Sequence, residues 1–288
     1  MSPKIVLITG ASSGIGLALA ELLARSKEYT VIATARKPEV IKGKAEAGNF
    51  HVKQLDVTDE ASVRKCIAET IKEFGRLDVL VNNAGFGTRK NVEQMDVKEH
   101  QALFDTNYFG VVRMLKETLP HMRAARKGQV IVVTSLVGFK GFAFTDAYTA
   151  SKFALEGLCE SLAPPLATFG IGLSLVEPGP VSTPFMENIP KNAEKAAAAH
   201  EEAKGELDEV TALRDAYWES AMKRMFNVEG ISQTAEQVAD MLKEAIDDAK
   251  PHLRYQTSDY VRSEAAKKLV DPTGDAQVEE ALEMLKSA

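Results

Sequence analysis

Tyr148 and Lys152 stand four residues apart inside a helical pattern, so they lie one above the other on the same helix face. An ammonium held near a phenol stabilises the phenolate, which predicts a tyrosine pKa lowered from its usual ~10 toward neutrality. A phenol tuned in that way can pass a proton to or from a substrate oxygen. The same spacing also arises by chance on a solvated helix. The pair therefore takes its meaning from the elements that must position it.

Those elements begin at the N-terminus. Ile5 to Thr9 is a short, uniformly apolar run, suited to a strand buried on both faces of a parallel sheet. The turn Gly10-Ala11-Ser12-Ser13-Gly14-Ile15-Gly16 follows, and a helical pattern runs from Ile15 to Ser26. Strand, glycine turn and helix are the context of a dinucleotide site. Glycines let the backbone approach a pyrophosphate, and the helix N-terminus offers free N–H groups to its charge. The spacing is G-x-x-x-G-x-G rather than the commoner G-x-G-x-x-G. Thr30 to Ala35 is the second buried strand. Ala35 stands where an acid would hold the adenosine ribose, and Arg36 and Lys37 follow it. A guanidinium can clamp a 2′-phosphate that a carboxylate would repel, so Arg36 points to NADP(H) rather than NAD(H).

Phe50 to Leu55 forms a third strand running into Asp56-Val57. Asp56 either accepts from an adenine amino group or caps the helix that starts near Asp59. Leu77 to Val81 is the fourth strand, ending in Asn82-Asn83-Ala84-Gly85, which permits close backbone approach to a ligand or simply makes a turn. A long helical pattern from Val97 to Ala125 carries Asn107 in its middle, where asparagine needs a core hydrogen bond or a functional reason. Gly128 to Thr134 is the fifth strand, with Ser135 at its end, and Ile171 to Val176 the sixth, followed by Pro178-Gly179. In open α/β sheets ligands sit beyond the carboxyl ends of the strands. The glycine turn, Asn82, Ser135 and Pro178-Gly179 share that address.

The Tyr148 helix should run from Asp146 to Phe169, with a kink or break at Pro164-Pro165. From Asn188 to Gly230 the composition changes. A segment rich in Ala, Glu and Lys gives way to Tyr217, Trp218, Met222, Met225 and Phe226. This suits a helical lid over an apolar pocket, or a helix pair packed on the core. Thr234-Ala235-Glu236-Gln237 reads as a capping box, and His252 to Tyr255 as a last edge strand. The 288 residues are read as one domain, with the lid at about 186–230.

The formal charge of −6 argues against nucleic acid as a partner. No apolar run reaches the ~18 residues of a membrane span. The first residues enter a strand without a cleavage pattern, so a cytoplasmic location is expected, with peripheral membrane attachment left open. Cys66 and Cys159 read as small core residues rather than a disulfide. The five histidines lack metal-ligand spacing, and no Gly-x-Ser-x-Gly elbow marks a hydrolase.

Taken together, Thr9-Gly10-x-x-x-Gly14-x-Gly16, Asn82-Asn83-Ala84-Gly85, Asn107, Ser135, Tyr148-x-x-x-Lys152 and Pro178-Gly179 resemble the short-chain dehydrogenase/reductase family. Ala150 to Ser161, Leu253-Arg254-Tyr255 and Asp271-Pro272-Thr273-Gly274 resemble its branch of type 1 17β-hydroxysteroid and photoreceptor retinol dehydrogenases. The resemblance implies an α/β Rossmann fold: a doubly wound sheet of seven parallel strands in the order 3-2-1-4-5-6-7, helices on both faces and a helical substrate lid. It implies Tyr148 as general acid/base, with Lys152 lowering its pKa and holding the nicotinamide ribose. Ser135 would bind the substrate oxygen, and Asn107 would anchor a proton-relaying water. NADP(H) would lie along Gly10, Ser12, Ser13, Gly14, Ile15, Gly16, Arg36, Asp56, Val57, Asn83, Ala84, Gly85, Tyr148, Lys152, Pro178, Gly179, Val181 and Thr183. Homodimers built on the Asn107 and Tyr148 helices are implied as well.

The expected function is an NADP(H)-dependent oxidoreductase that interconverts a hydroxyl and a carbonyl on a bulky apolar substrate, such as a steroid, retinoid or long-chain carbonyl. Val137, Phe142, Phe185, Met186 and Trp218 would line the substrate end. An epimerase or dehydratase on the same scaffold, or a cofactor-sensing protein without turnover, are the alternatives. No metal is expected.

Overall fold

The apolar runs form strands because β-branched and aliphatic side chains can be buried on both faces of a central sheet. The structure is a computed structural model that describes residues 2–41, 48–185, 189 and 208–268. In chain order the strands of the main sheet are β1 (Lys4–Ile8), β2 (Tyr29–Ala35), β3 (Phe50–Gln54), β4 (Val79–Asn82), β5 (Gly128–Val133), β6 (Ile171–Glu177) and, after the pair β7 (Val181–Ser182) and β8 (Gln233–Thr234), β9 (Arg254–Gln256). The seven-stranded sheet runs β3-β2-β1-β4-β5-β6-β9, all parallel, and β7 pairs with β8 separately. The chain order reverses between β1 and β4, so a crevice opens at their carboxyl ends.

Alternate residues of β1 feed two cores. Val6 and Ile8 pack with Leu19 and Leu23 of α1 (Gly14–Ala24) and with Val238 and Leu242 of α7 (Ala235–Asp247). Ile5 and Leu7 pack with Val63 and Ile67 of α2 (Glu60–Phe74), Met114 of α4 (Gly110–Ala125) and Leu155 of α5 (Asp146–Ala167). Cys66 and Cys159 are buried free thiols. Two further helices are α6 (Asp208–Asn227) and α8 (Asp259–Lys267). Thr234 and Gln237 make the expected capping box of α7. No helix among the described residues is long and apolar enough to cross a membrane.

Two expectations about helices need correction. The pattern from Val97 to Ala125 is not one α-helix. It is α3 (Val97–Phe104), a π-helical stretch Asp105–Phe109, and α4. Nor does Pro164-Pro165 break α5, which continues to Ala167. Both prolines are exposed and lie in its last turn. The carbonyls they leave without a donor belong to Glu160 and Ser161, whose residues are also exposed, so that water can take the place of the missing N–H groups.

The ends of α4 and α5 meet. Arg126 caps α4 in the left-handed region at φ 51°, and its Nη2 donates to Thr168 O at 3.1 Å. Gly170 turns the chain into β6 at φ +71°, and a Cβ there would lie 2.5 Å from Arg126 O. Gly170→Ala should therefore destabilise the fold by about 2 kcal/mol or more. In thermal denaturation this would appear as a melting temperature lowered by roughly 5 °C.

Candidate active site

The crevice starts from the glycine turn. Gly10 (φ +67°) and Gly14 (φ +57°) hold conformations that L side chains rarely adopt. A Cβ on Gly10 would lie 2.8 Å from Ala84 Cα, and one on Gly16 2.5 Å from Asn83 Nδ2. The turn thus presses against the end of β4, with Thr9 as the hub. Its Oγ1 accepts from Asn83 N at 2.9 Å and Ala84 N at 3.0 Å, and its carbonyl accepts from Asn83 Nδ2 at 2.9 Å. Ser13 precedes α1 without capping it by its side chain, and the first turn carries no acid. The first N–H groups of α1 therefore face the crevice with no carboxylate in competition, a fit for a phosphate.

Ala35 ends β2 with a small buried side chain, and Arg36 enters the crevice beside Asp56. Asp56 does not cap α2; Asp59 does, accepting from Ala61 N at 2.9 Å. Asp56 Oδ1 instead accepts from Thr58 N at 3.0 Å and Thr58 Oγ1 at 2.7 Å. Although burial opposes it, these hydrogen bonds and the charges of Arg36 and Arg113 hold the Asp56 carboxyl below its ordinary range.

Beyond β5, Ser135, Tyr148 and Lys152 line the same cavity of about 520 Å³. Ser135 begins a short turn and accepts from Val137 N at 3.3 Å. Tyr148 and Lys152 come from the first turns of α5. Lys152 Nζ lies 5.8 Å from the Tyr148 ring centroid and donates to Val133 O, the last residue of β5, at 2.9 Å. Burial pushes Lys152 down to about 8, against the pull of Glu156. The Tyr148 hydroxyl goes the other way from the sequence expectation. Burial raises it to about 12, and a hydrogen bond with Ser135 recovers only part of that. The ammonium that was to acidify it is directed at the Val133 carbonyl.

Asn107 does not line the cavity. It is 1% exposed in the π-helical stretch, a distortion frequent at functional sites. Its Oδ1 accepts from Phe86 N at 3.0 Å, while its Nδ2 donates to Phe86 O at 2.9 Å and to Ser151 Oγ at 3.1 Å. It thereby pins the loop after Gly85 to α5. Every expected cofactor-binding residue lines the cavity except Gly16, which lies behind the turn. Val137, Phe142, Phe185 and Trp218 line its apolar end, and Met186 lies outside the described residues. The Phe185 ring sits 5.8 Å from that of Tyr148. Trp218 belongs to α6, which packs through Tyr217, Met222 and Met225 against Ala143 and Phe144. Met225, one of the apolar residues read as part of a lid, also lines the cavity, as do Thr88, Thr145 and Ile189, which carried no signal in the sequence. The hub role of Thr9 was likewise not foreseen.

The family model described as short chain dehydrogenase matches residues 4–194. The chain is 39% identical over 285 residues to retinol dehydrogenase 8 of Bos taurus, covering 96% of this chain and 88% of that protein. It is 40% identical over 288 residues to 17-beta-hydroxysteroid dehydrogenase type 1 of Homo sapiens, covering 96% and 84%. Among solved structures, a short-chain dehydrogenase from Streptomyces avermitilis superposes with a TM-score of 0.74 at 31% identity, covering 100% of this chain and 97% of that one. ElxO with NADP bound superposes at 0.68 and 26% identity, covering 88% and 98%.

Asn107→Leu would leave the Phe86 N–H and C=O without their partner. Urea denaturation should read a loss of about 1–3 kcal/mol, because two part-buried backbone groups lose their partner together.

Proposed function

The chain belongs to the short-chain dehydrogenase/reductase family, and from that premise we propose that it is an NADP(H)-dependent oxidoreductase that interconverts a hydroxyl and a carbonyl on a bulky apolar substrate. The observation that carries the reading is one cavity that holds the open N-terminus of α1, Arg36, and the set Ser135, Tyr148 and Lys152. A cavity with only the first of these would bind a nucleotide and do nothing to a carbonyl.

NADPH, when bound, supplies the hydride. The glycine turn and the N–H groups of α1 take its pyrophosphate, and Arg36 takes the 2′-phosphate with no carboxylate at Ala35 to repel it. Ser135 hydrogen-bonds the substrate oxygen. Tyr148 gives that oxygen its proton, since a phenol raised to about 12 is fully protonated at neutral pH and a forming alkoxide is the stronger base. In the oxidative direction the same phenol must first lose its proton, so the positive charge of Lys152 matters most there. Burial of the site strengthens these contacts by excluding water.

Steroids, retinoids and long-chain carbonyls are the substrate class. The apolar lining by Phe142, Phe185, Ile189, Trp218 and Met225 supports it, as do relatives named for retinol and for hydroxysteroids. Helix α6 acts as part of a lid over that end, within a single functional domain. Homodimers pair through α3 to α5, where Val97, Phe109 and Phe153 expose apolar side chains.

Tyr148→Phe should lower kcat by about 10²–10⁴-fold, the worth of a general acid. Nicotinamide fluorescence should report unaltered NADPH binding in the same variant, and near wild-type turnover would refute the assignment. With retinal, a ketosteroid and an aliphatic aldehyde as substrates, Arg36→Asp should cut the NADPH-over-NADH preference at least ~10-fold. An unchanged ratio would count against the phosphate clamp.

A further inference from the structure

The stripe of α5 that carries Tyr148 and Lys152 continues one turn further to Glu156, since residues four apart share a helix face. Glu156 is 6% exposed, and a carboxylate so enclosed requires partners. Its Oε2 accepts from Arg254 Nε at 3.2 Å, with Nη2 3.1 Å away. Its Oε1 lies where a Cβ on Gly138 would come within 3.0 Å. Arg254 also meets Glu160 Oε1 at 2.7 Å and Oε1 of the fully buried Glu177 at 3.2 Å. Gln256 Nε2 donates to Glu177 Oε2 at 2.5 Å. None of these residues lines the cavity, and the chemistry above uses none of them.

The charge of Glu156 acts on Lys152, and the charged groups clustered behind it come from three elements: Glu156 and Glu160 on α5, Glu177 at the end of β6, and Arg254 on β9. Arg254 faces three carboxylates and Lys152 the nearest of them, so one bound proton makes the cluster neutral. Glu177 is the group that takes it, since burial and the charge of Glu156 push it up to about 7. Burial also raises Glu156, and a hydrogen bond with Thr134 and then the charge and hydrogen bond of Arg254 oppose that rise.

We propose that Glu156 is a positioning residue for the reaction at Tyr148: its buried carboxylate is the counter-charge that keeps Lys152 an ammonium held at the Val133 carbonyl, and Arg254 with Glu177 fixes that carboxylate. This rests on reading Tyr148 and Lys152 as the reacting pair. A carbonyl alone is a neutral acceptor and does little to hold a proton on a buried amine, whereas a carboxylate one helical turn away opposes its loss. The short strand β9 thereby acts on a site it never touches. Its Arg254 lies beside Leu175 and its Gln256 beside Glu177 in the sheet register.

The test compares Glu156→Gln and Glu156→Asp with wild type in the full chain. The first readout is melting temperature against pH, which needs neither cofactor nor turnover. A lysine whose folded pKa lies below its unfolded value adds stability as pH rises from the folded value toward the unfolded one. Without the counter-charge the folded value falls, so the Glu156→Gln curve should begin that rise about one pH unit below wild type. The second readout is kcat against pH with NADPH and a carbonyl that the wild type reduces. The alkaline limb should move down by about the same unit in Glu156→Gln, so that kcat falls about twofold at pH 7 and approaches a roughly tenfold loss above the wild-type limb. Glu156→Asp keeps the charge and should keep both curves at the wild-type pH. Unmoved curves in Glu156→Gln overturn the proposal, even if kcat falls. Should that variant fail to fold, a displaced curve in Glu156→Asp overturns it instead. A wild type that reduces no carbonyl refutes the oxidoreductase reading, while the melting curves still decide the role of Glu156.

Discussion

An amine enclosed by protein keeps its proton only if it is given an acceptor and a compensating charge. Lys152 is 5% exposed, and the region around it is arranged to meet that demand. The acceptor is the carbonyl that ends β5, so the lysine ties the first turns of α5 to the strand that leads directly into Ser135. One tether thus sets the distance between the hydroxyl of Ser135 and that of Tyr148. The family relationship accounts for which residues stand there; the tether accounts for why they stay in register with one another. It also explains the direction of the Tyr148 shift. An ammonium committed to a backbone carbonyl leaves the phenol to the desolvation of its surroundings.

What could be read beforehand was whatever depends on near neighbours in the chain. Strands buried on both faces appear as unbroken apolar runs, and six of them were located to within one or two residues. The glycine turn is legible because the left-handed backbone at Gly10 and Gly14 favours glycine, and a side chain at Gly10 would also collide with Ala84. Tyr148 and Lys152 are legible because helix spacing alone puts them together. The Glu156 position obeys the same spacing and was available to the same argument, yet its meaning comes from Arg254, 98 residues away.

Where reading failed, the deciding partner was distant or the local rule was applied without its context. Thr9 is an ordinary strand residue until Asn83 and Ala84 arrive, 74 and 75 residues later. Asp56 and Asp59 both suit a helix cap, and Thr58 decides between them by occupying the first. Prolines in a helix interior predict a break, but only where the freed carbonyls cannot reach water, and those of Glu160 and Ser161 can. Asparagine at position 107 advertised a need without saying what kind. Its need is met by the backbone of Phe86.

The π-helical stretch has a consequence for how this fold can vary. In it the Gly110 N–H bonds to Asp105 O, five residues back rather than four, so the stretch holds one residue more than a regular α turn. Arg113 braces it by donating to Asp105 O at 3.1 Å and to Val57 O at 3.2 Å. Loss of any single residue here would restore an uninterrupted α-helix. Because the π turn accommodates its extra residue within the turn, that loss would leave everything beyond it at nearly the same rotation about the axis. Val111, Met114, Leu115 and Met122 would keep facing the core they fill. A change of one residue in length therefore falls on the segment itself, on the bonds Arg113 makes to it and on the placing of Asn107, rather than on the whole of α4.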